Sequence, residues 1–189
     1  TAMVDSAAPT ASEPSLAVTL YMGLPKGDKL DTIIQKAVEC GVTEVIPFES
    51  SRCIVRAKPE AEARKTERRQ RIAEEAAKQC GRGVIPTVRP TVTFAEALKA
   101  VEGVDLALFC YEGQDVTPLP AILEMAGPAL DTARAEGRIP EIALFVGSEG
   151  GFSPEEVTAA ATFANPPLTM AAASSSPSTE VEQAPYSPR

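Results

Sequence analysis

Histidine and tryptophan are both missing from this 189-residue sequence, and aromatic residues make up only 5% of it. Without histidine there is no imidazole general base, no Ser-His-Asp relay and no His-containing metal site. The four cysteines, Cys40, Cys53, Cys80 and Cys110, are widely spaced with no C-x-x-C pair, which argues against zinc and for reduced thiols. No apolar run approaches the ~20 residues of a membrane-spanning helix, and the N-terminus lacks a basic-plus-apolar leader, so the expected setting is the cytoplasm, with neither membrane nor metal. The dinucleotide fingerprint G-x-G-x-x-G and the phosphate loop G-x-x-x-x-G-K-[ST] are absent too, which disfavours those two modes of nucleotide binding. What is present, 44% hydrophobic and 23% charged residues, fits one globular domain with a substantial core.

A formal charge of −8 disfavours a nucleic-acid partner until its distribution is considered. Ten of the 18 basic residues, but only five of the 26 acidic ones, fall between Arg52 and Arg82. At ~100° per residue, Arg64, Arg68, Arg71, Lys78 and Arg82 share a stripe about 80° wide, with Ile72, Ala76 and Cys80 opposite. A one-sided cationic stripe suits a phosphate backbone. It also reads as a solvated face on which Glu75 pairs with Arg71 and Lys78.

Strand and helix signals alternate along the chain. Residues 16–22 (LAVTLYM) read as a strand, and Asp28 as the cap of a helix that runs to about Cys40 and stops at Gly41. Residues 43–48 read as a second strand, 53–55 as a further short one, and 59–79 as a long helix ended by Gly81. Residues 104–111 and 142–146 are near-continuous apolar runs, as expected of strands buried on both faces. The pattern is that of an α/β parallel sheet flanked by helices, whose ligand site lies beyond the carboxyl ends of the strands. Residues 1–15 are small, polar and proline-containing and are expected to be flexible, and residues 171–189, rich in Ala, Ser and Pro, are expected to be disordered.

The strongest local signal is GSEGGFSPEE, Gly147 to Glu156. Three glycines in five positions require a sharp turn or a close approach, and Ser153, Pro154 and Glu156 form the start of a capped helix. Backbone N–H groups there could bind a carboxylate or phosphate, although spacing alone is equally consistent with a tight strand-to-helix turn. Carboxylates are plentiful, yet no pair is placed to act as an acid and base team.

Four blocks together resemble the ribosomal RNA small subunit methyltransferase E family of the SPOUT superfamily: residues 26–56, 65–82, 108–113 (LFCYEG) and 145–157 (FVGSEGGFSPEEV). The resemblance spans residues 16–170 and implies a trefoil-knotted methyltransferase domain. It further implies S-adenosylmethionine as methyl donor, N3 of a uridine in small-subunit (16S) ribosomal RNA as acceptor, and a homodimer. Carried over to this sequence, Gly147, Ser148, Glu149, Gly150 and Gly151 match the cofactor-wrapping turn, Glu112 the acidic residue after the preceding strand, and Leu168 the apolar position closing the pocket. Arg52, Arg56, Gln79 and Arg82 fall in blocks assigned to RNA contact, which favours the RNA reading of Arg64, Arg68, Arg71 and Lys78. Catalytic residues as such are not assigned, because aligning donor and acceptor supplies most of the rate enhancement.

The departures are specific. Ser148 stands where the family has proline, and Arg69 falls on the apolar face of its helix where an aromatic residue is common. The family's N-terminal barrel domain has no counterpart in residues 1–15, and its I-L-R-x-E-T-A motif does not follow Met170. These departures make a catalytically impaired fragment with residual RNA affinity the alternative expectation.

Overall fold

The computed structural model describes residues 13–57, 59–113 and 116–162, together with the backbone of 168–172. Its chain order is β1 (Ala17–Gly23), α1 (Lys29–Glu39), β2 (Glu44–Glu49), α2 (Pro59–Gln79), β3 (Thr87–Val88), β4 (Val92–Thr93) and α3 (Phe94–Lys99). There follow β5 (Leu106–Tyr111), α4 (Leu119–Ala135), β6 (Glu141–Val146), α5 (Pro154–Thr162) and β7 (Leu168–Ala172). All seven strands lie in one sheet, ordered β3-β2-β1-β6-β5-β7, with β4 also paired to β2. Every strand pairing is parallel. The α/β parallel architecture expected from the sequence is therefore present.

Side-chain alternation sorts the core into two faces. Because Leu20 lies level with Val45 on one side and Leu144 on the other, even positions of β1 and β6 project to the same side. There Leu20, Met22 and Val45 pack on Ile34 and Val38 of α1 and on Ala73, Ala76 and Ala77 of α2. Leu106, Leu108 and Ile142 continue this layer onto Ile122 and Leu130 of α4. The opposite face carries Tyr21, Phe48, Phe109 and Phe145 beneath α3 and α5. Five of the chain's six phenylalanines meet there, Tyr21 stacking on Phe145 with centroids 4.5 Å apart and Phe109 packing on Phe152 at 4.0 Å. The scarce aromatic residues are thus concentrated in one layer, which supports the glycine turn through Phe152.

Several local expectations are corrected. Residues 53–55 form no strand, because the Cys53 N–H donates to the Ser50 carbonyl at 3.2 Å and closes a turn there. Asp28 occupies the N-cap of α1, but its φ/ψ of −93°/13° is not the extended geometry a capping side chain needs, and its carboxylate makes no cap bond. Glu13 and Pro14 belong to the folded body: the Glu13 carboxylate accepts from Arg82 at 2.8 Å and from the N–H groups of Gly83 and Val84. At the other end β7 pairs with β5 through Ala172, two residues past the boundary read at Met170. The flexibility expected of residues 1–12 and the disorder expected of residues 173–189 fall outside the described residues.

Candidate functional site

A cavity of about 530 Å³ lies beyond the carboxyl ends of β5 and β6, as the rule for open parallel sheets requires. Its walls include Glu112 and the whole turn Gly147, Ser148, Glu149, Gly150 and Gly151, six residues that sequence reasoning had grouped. Leu168 opens β7, but its side chain falls outside the described residues.

The turn is built by close backbone approach. Gly151 donates its N–H to the Ser148 carbonyl at 2.8 Å and has φ +63°, a region that favours glycine. Gly23, at the end of β1, lies so near that a Cβ there would sit 2.7 Å from the Ser148 nitrogen. Gly150 is held differently: a Cβ would meet the Arg52 carbonyl oxygen at 3.1 Å and the Arg52 Cβ at 3.2 Å. The Ser148 Oγ is buried without a hydrogen-bond partner among the described residues. Such an atom costs free energy unless something enters to bond it.

Glu149 anchors the turn to α1. Its carboxylate accepts from Lys29 Nζ at 2.6 Å and from the Lys26 N–H at 3.2 and 3.3 Å. The Lys29 bond first, then backbone donors, hold its pKa down from an ordinary 4.5 to about 2. A depressed carboxylate pKa stabilises the fold above the unfolded value, and the contribution is lost as pH falls from ~4.5 toward ~2. A carboxyl NMR titration of Glu149 is expected to reach its midpoint near 2, and Lys29→Met should move it upward; an ordinary midpoint in the parent protein would rule out the anchor.

The capping box forms as read: Ser153 N–H donates to Glu156 Oε2 at 2.9 Å, and Glu156 N–H to Ser153 Oγ at 3.3 Å. Sequence reasoning missed Cys110, Tyr111, Val146, Phe152 and Pro154 as cavity walls. The carboxyl-end rule would have found the first three, at the ends of β5 and β6. Burial pushes the Cys110 thiol pKa up, so it is a protonated wall rather than a nucleophile.

The cationic residues divide into three groups. Arg52 joins the cavity wall and donates through Nη1 to the Gly150 carbonyl at 3.2 Å. Arg56, nearby on the same loop, donates to the carbonyls of Ser50 and Ser51 at 3.0 and 3.3 Å. On α2, Arg64, Arg68, Arg71, Lys78 and Gln79 are exposed. Arg68 is paired to Asp31 of α1, and Arg71 to Glu67 rather than to Glu75. Arg64 and Lys78 have no ion-pair partner among the described residues.

Arg82 leaves the stripe. The helix ends at Gln79, so its angular count does not extend that far. The Arg82 side chain is 5% exposed, bonded to the Val38 and Val42 carbonyls and to Glu13. Cys80 is likewise past the helix end and exposed instead of joining Ile72 and Ala76 in the apolar layer. Arg69 is buried as its helical position implied, and its charge is met by Glu62 at 3.3 Å.

Among the described residues no cluster of three His, Cys, Asp or Glu could hold a metal, and no helix is long and apolar enough to cross a membrane.

Residues 12–171 match the RNA methyltransferase domain family. The ribosomal RNA small subunit methyltransferase E of Bacillus subtilis is 38% identical over 100 residues, 53% of this chain and 39% of that protein. Its namesake in Synechocystis is 32% identical over 161 residues, 84% of this chain and 48% of that protein. Among solved structures, a ribosomal RNA small subunit methyltransferase E from Neisseria gonorrhoeae bound to S-adenosyl methionine is similar with a TM-score of 0.72 and 29% identity, over 88% of this chain and 62% of that one. The chain spans about half the length of the curated relatives it matches.

Proposed function

Since this chain belongs to the RNA methyltransferase domain family, we propose that it methylates small-subunit ribosomal RNA with S-adenosylmethionine as donor. The observation that carries the reading is the glycine turn at the strand ends, with a buried Ser148 Oγ unbonded among the described residues and apolar walls from Tyr111, Val146 and Phe152. A cavity of about 530 Å³ is of the size that takes a drug-sized ligand. These residues fit the cofactor: Gly147 to Gly151 would wrap it, Ser148 Oγ and the Glu112 carboxylate would take its polar groups, and the apolar walls its flat ring. When bound, the cofactor supplies an electrophilic methyl group on a sulfonium.

The protein's own contribution is placement. Glu149 and Gly23 fix the turn against α1 and β1, and Arg52 holds the Gly150 carbonyl at the cavity rim. A nitrogen nucleophile aligned with the methyl group needs little else, so a site without histidine suffices. Arg52 and Arg56 beside the cavity and Arg64, Arg68, Arg71, Lys78 and Gln79 on α2 would receive the phosphate backbone. The family resemblance adds N3 of a uridine as acceptor, to be read from the methylated nucleoside by mass spectrometry, and a knotted homodimer, to be read by sedimentation.

Calorimetry with S-adenosylmethionine is expected to give saturable heat, and a ribosomal RNA fragment to bind with salt-dependent affinity. Arg64→Gln with Lys78→Gln should reduce the slope of log affinity against log salt by roughly 1.5. An unchanged slope makes the stripe a solvated face, and absent heat removes the methyltransferase reading.

A further inference from the structure

Glu156 holds more than its own helix. The residue is 8% exposed, and its two carboxylate oxygens are divided between separate parts of the chain. Oε2 accepts the Ser153 N–H at 2.9 Å, which completes the helix cap, whereas Oε1 accepts the Ser51 N–H at 2.7 Å, 105 residues away. Capping α5 requires only the first of these bonds. The second ties down the segment from Ser50 to Ala57, which lacks helix or strand and carries Arg52 and Arg56.

Glu156 holds the start of this segment, and Glu49, whose carboxylate accepts the Ala57 N–H, holds its end. Hydrogen bonds to a buried carboxylate are roughly twice as strong as neutral ones. The hydrogen bond between the same loop and the glycine turn, Arg52 Nη1 to the Gly150 carbonyl at 3.2 Å, is exposed to solvent, and Gly150 packs on Arg52 beside it. Arg56 folds back on the Ser50 and Ser51 carbonyls, two acceptors beside the anchored Ser51 N–H, and also pairs with Glu49 at 3.6 Å.

We propose that Glu156 is a positioning residue that locks the arginine loop to the glycine turn, and so sets the RNA-facing guanidinium groups of Arg52 and Arg56 at a fixed place relative to the cofactor cavity. The inference deepens the function proposed above and rests on it for its consequence in catalysis. The lock itself is a property of the chain without any ligand. Glu156→Gln should break it, because an amide has one carbonyl oxygen and would turn its NH2 group toward the other N–H donor. Ser153→Ala removes the hydroxyl half of the cap and leaves both carboxylate bonds in place.

The test compares these two variants in the full chain. In Glu156→Gln the Ser51 amide is expected to exchange with solvent about tenfold faster or more, with exchange in β1 and β6 unchanged, while Ser153→Ala leaves the Ser51 rate alone. In methyl transfer to RNA, Glu156→Gln should lower kcat about tenfold while the cofactor Kd stays within about twofold, and Ser153→Ala should change neither. Equal Ser51 exchange in Glu156→Gln and the parent overturns the proposal, as does a Ser153→Ala variant that matches Glu156→Gln in both readouts. A parent chain that gives no heat with S-adenosylmethionine defeats the proposed function instead, and the exchange rates still decide whether the lock exists.

Discussion

Valine at Gly150 is expected to weaken S-adenosylmethionine binding about a hundredfold while the fold survives. The constraint at this position is space. A Cβ alone would approach the Arg52 carbonyl oxygen to 3.1 Å and the Arg52 Cβ to 3.2 Å, so a branched side chain has to push the turn away from the Arg52 loop. Gly151 makes the informative contrast, since its φ of +63° disfavours branched side chains although a Cβ there meets nothing within 4 Å. Gly151→Asn, which tolerates the left-handed region, should therefore bind nearly as the parent does, and Gly151→Val should not. Calorimetry with far-UV circular dichroism as the folding control reads all three. Parent-like binding by Gly150→Val would remove the contact with Arg52 from the site.

Truncating Phe145 to alanine is expected to cost about 3–5 kcal/mol of folding stability. The side chain is fully buried on β6, a central strand, and its ring lies 4.5 Å from Tyr21 and 6.0 Å from both Phe48 and Phe109. Removing it deletes the middle of the aromatic layer, and β1, β2, β5 and α3, whose rings surround it, cannot all collapse into the gap. Phe145→Leu should recover part of the loss by filling volume without restoring ring stacking. Urea unfolding measures both, and a loss below about 1.5 kcal/mol for the alanine variant would mean that the layer is loosely packed.

The parts legible in the sequence are those set by neighbours along the chain. Pro59 and Gly81 bracket α2 because proline suits a first helical turn and glycine accepts the left-handed residue beyond the last. The Ser153–Glu156 box was legible for the same reason: three-residue spacing brings its two partners together in any helix start. The glycine turn showed itself through three glycines in five positions, of which Gly151 takes positive φ and Gly150 packs closely on Arg52. Misread segments had their backbone or side-chain partners elsewhere. Residues 53–55 have strand-prone side chains, but a turn onto Ser50 uses the donor a strand would have offered. Arg82 extended a helical count past the helix end, and nothing local reveals that the carbonyls of Val38 and Val42 and the carboxylate of Glu13 await it.

By itself, then, the sequence determined the alternation of strands and helices, the glycine turn with its capped helix, and the excess of positive charge between Arg52 and Arg82, because each depends on residue types close together in the chain. Only the tertiary structure decided which cations remain free and which are neutralised, as Asp31 does Arg68 and Glu13 does Arg82. It also decided that Arg52 meets Gly150, that Glu149 reaches back to Lys29, and that Glu156 serves Ser51 as well as its own helix. These contacts join residues about a hundred positions apart, and they exist because parallel pairing of β1, β2, β5 and β6 brings the loops at their carboxyl ends to one edge of the sheet. No periodicity in the sequence encodes that meeting; it follows from strand order, which is set by how the two faces of the sheet are buried.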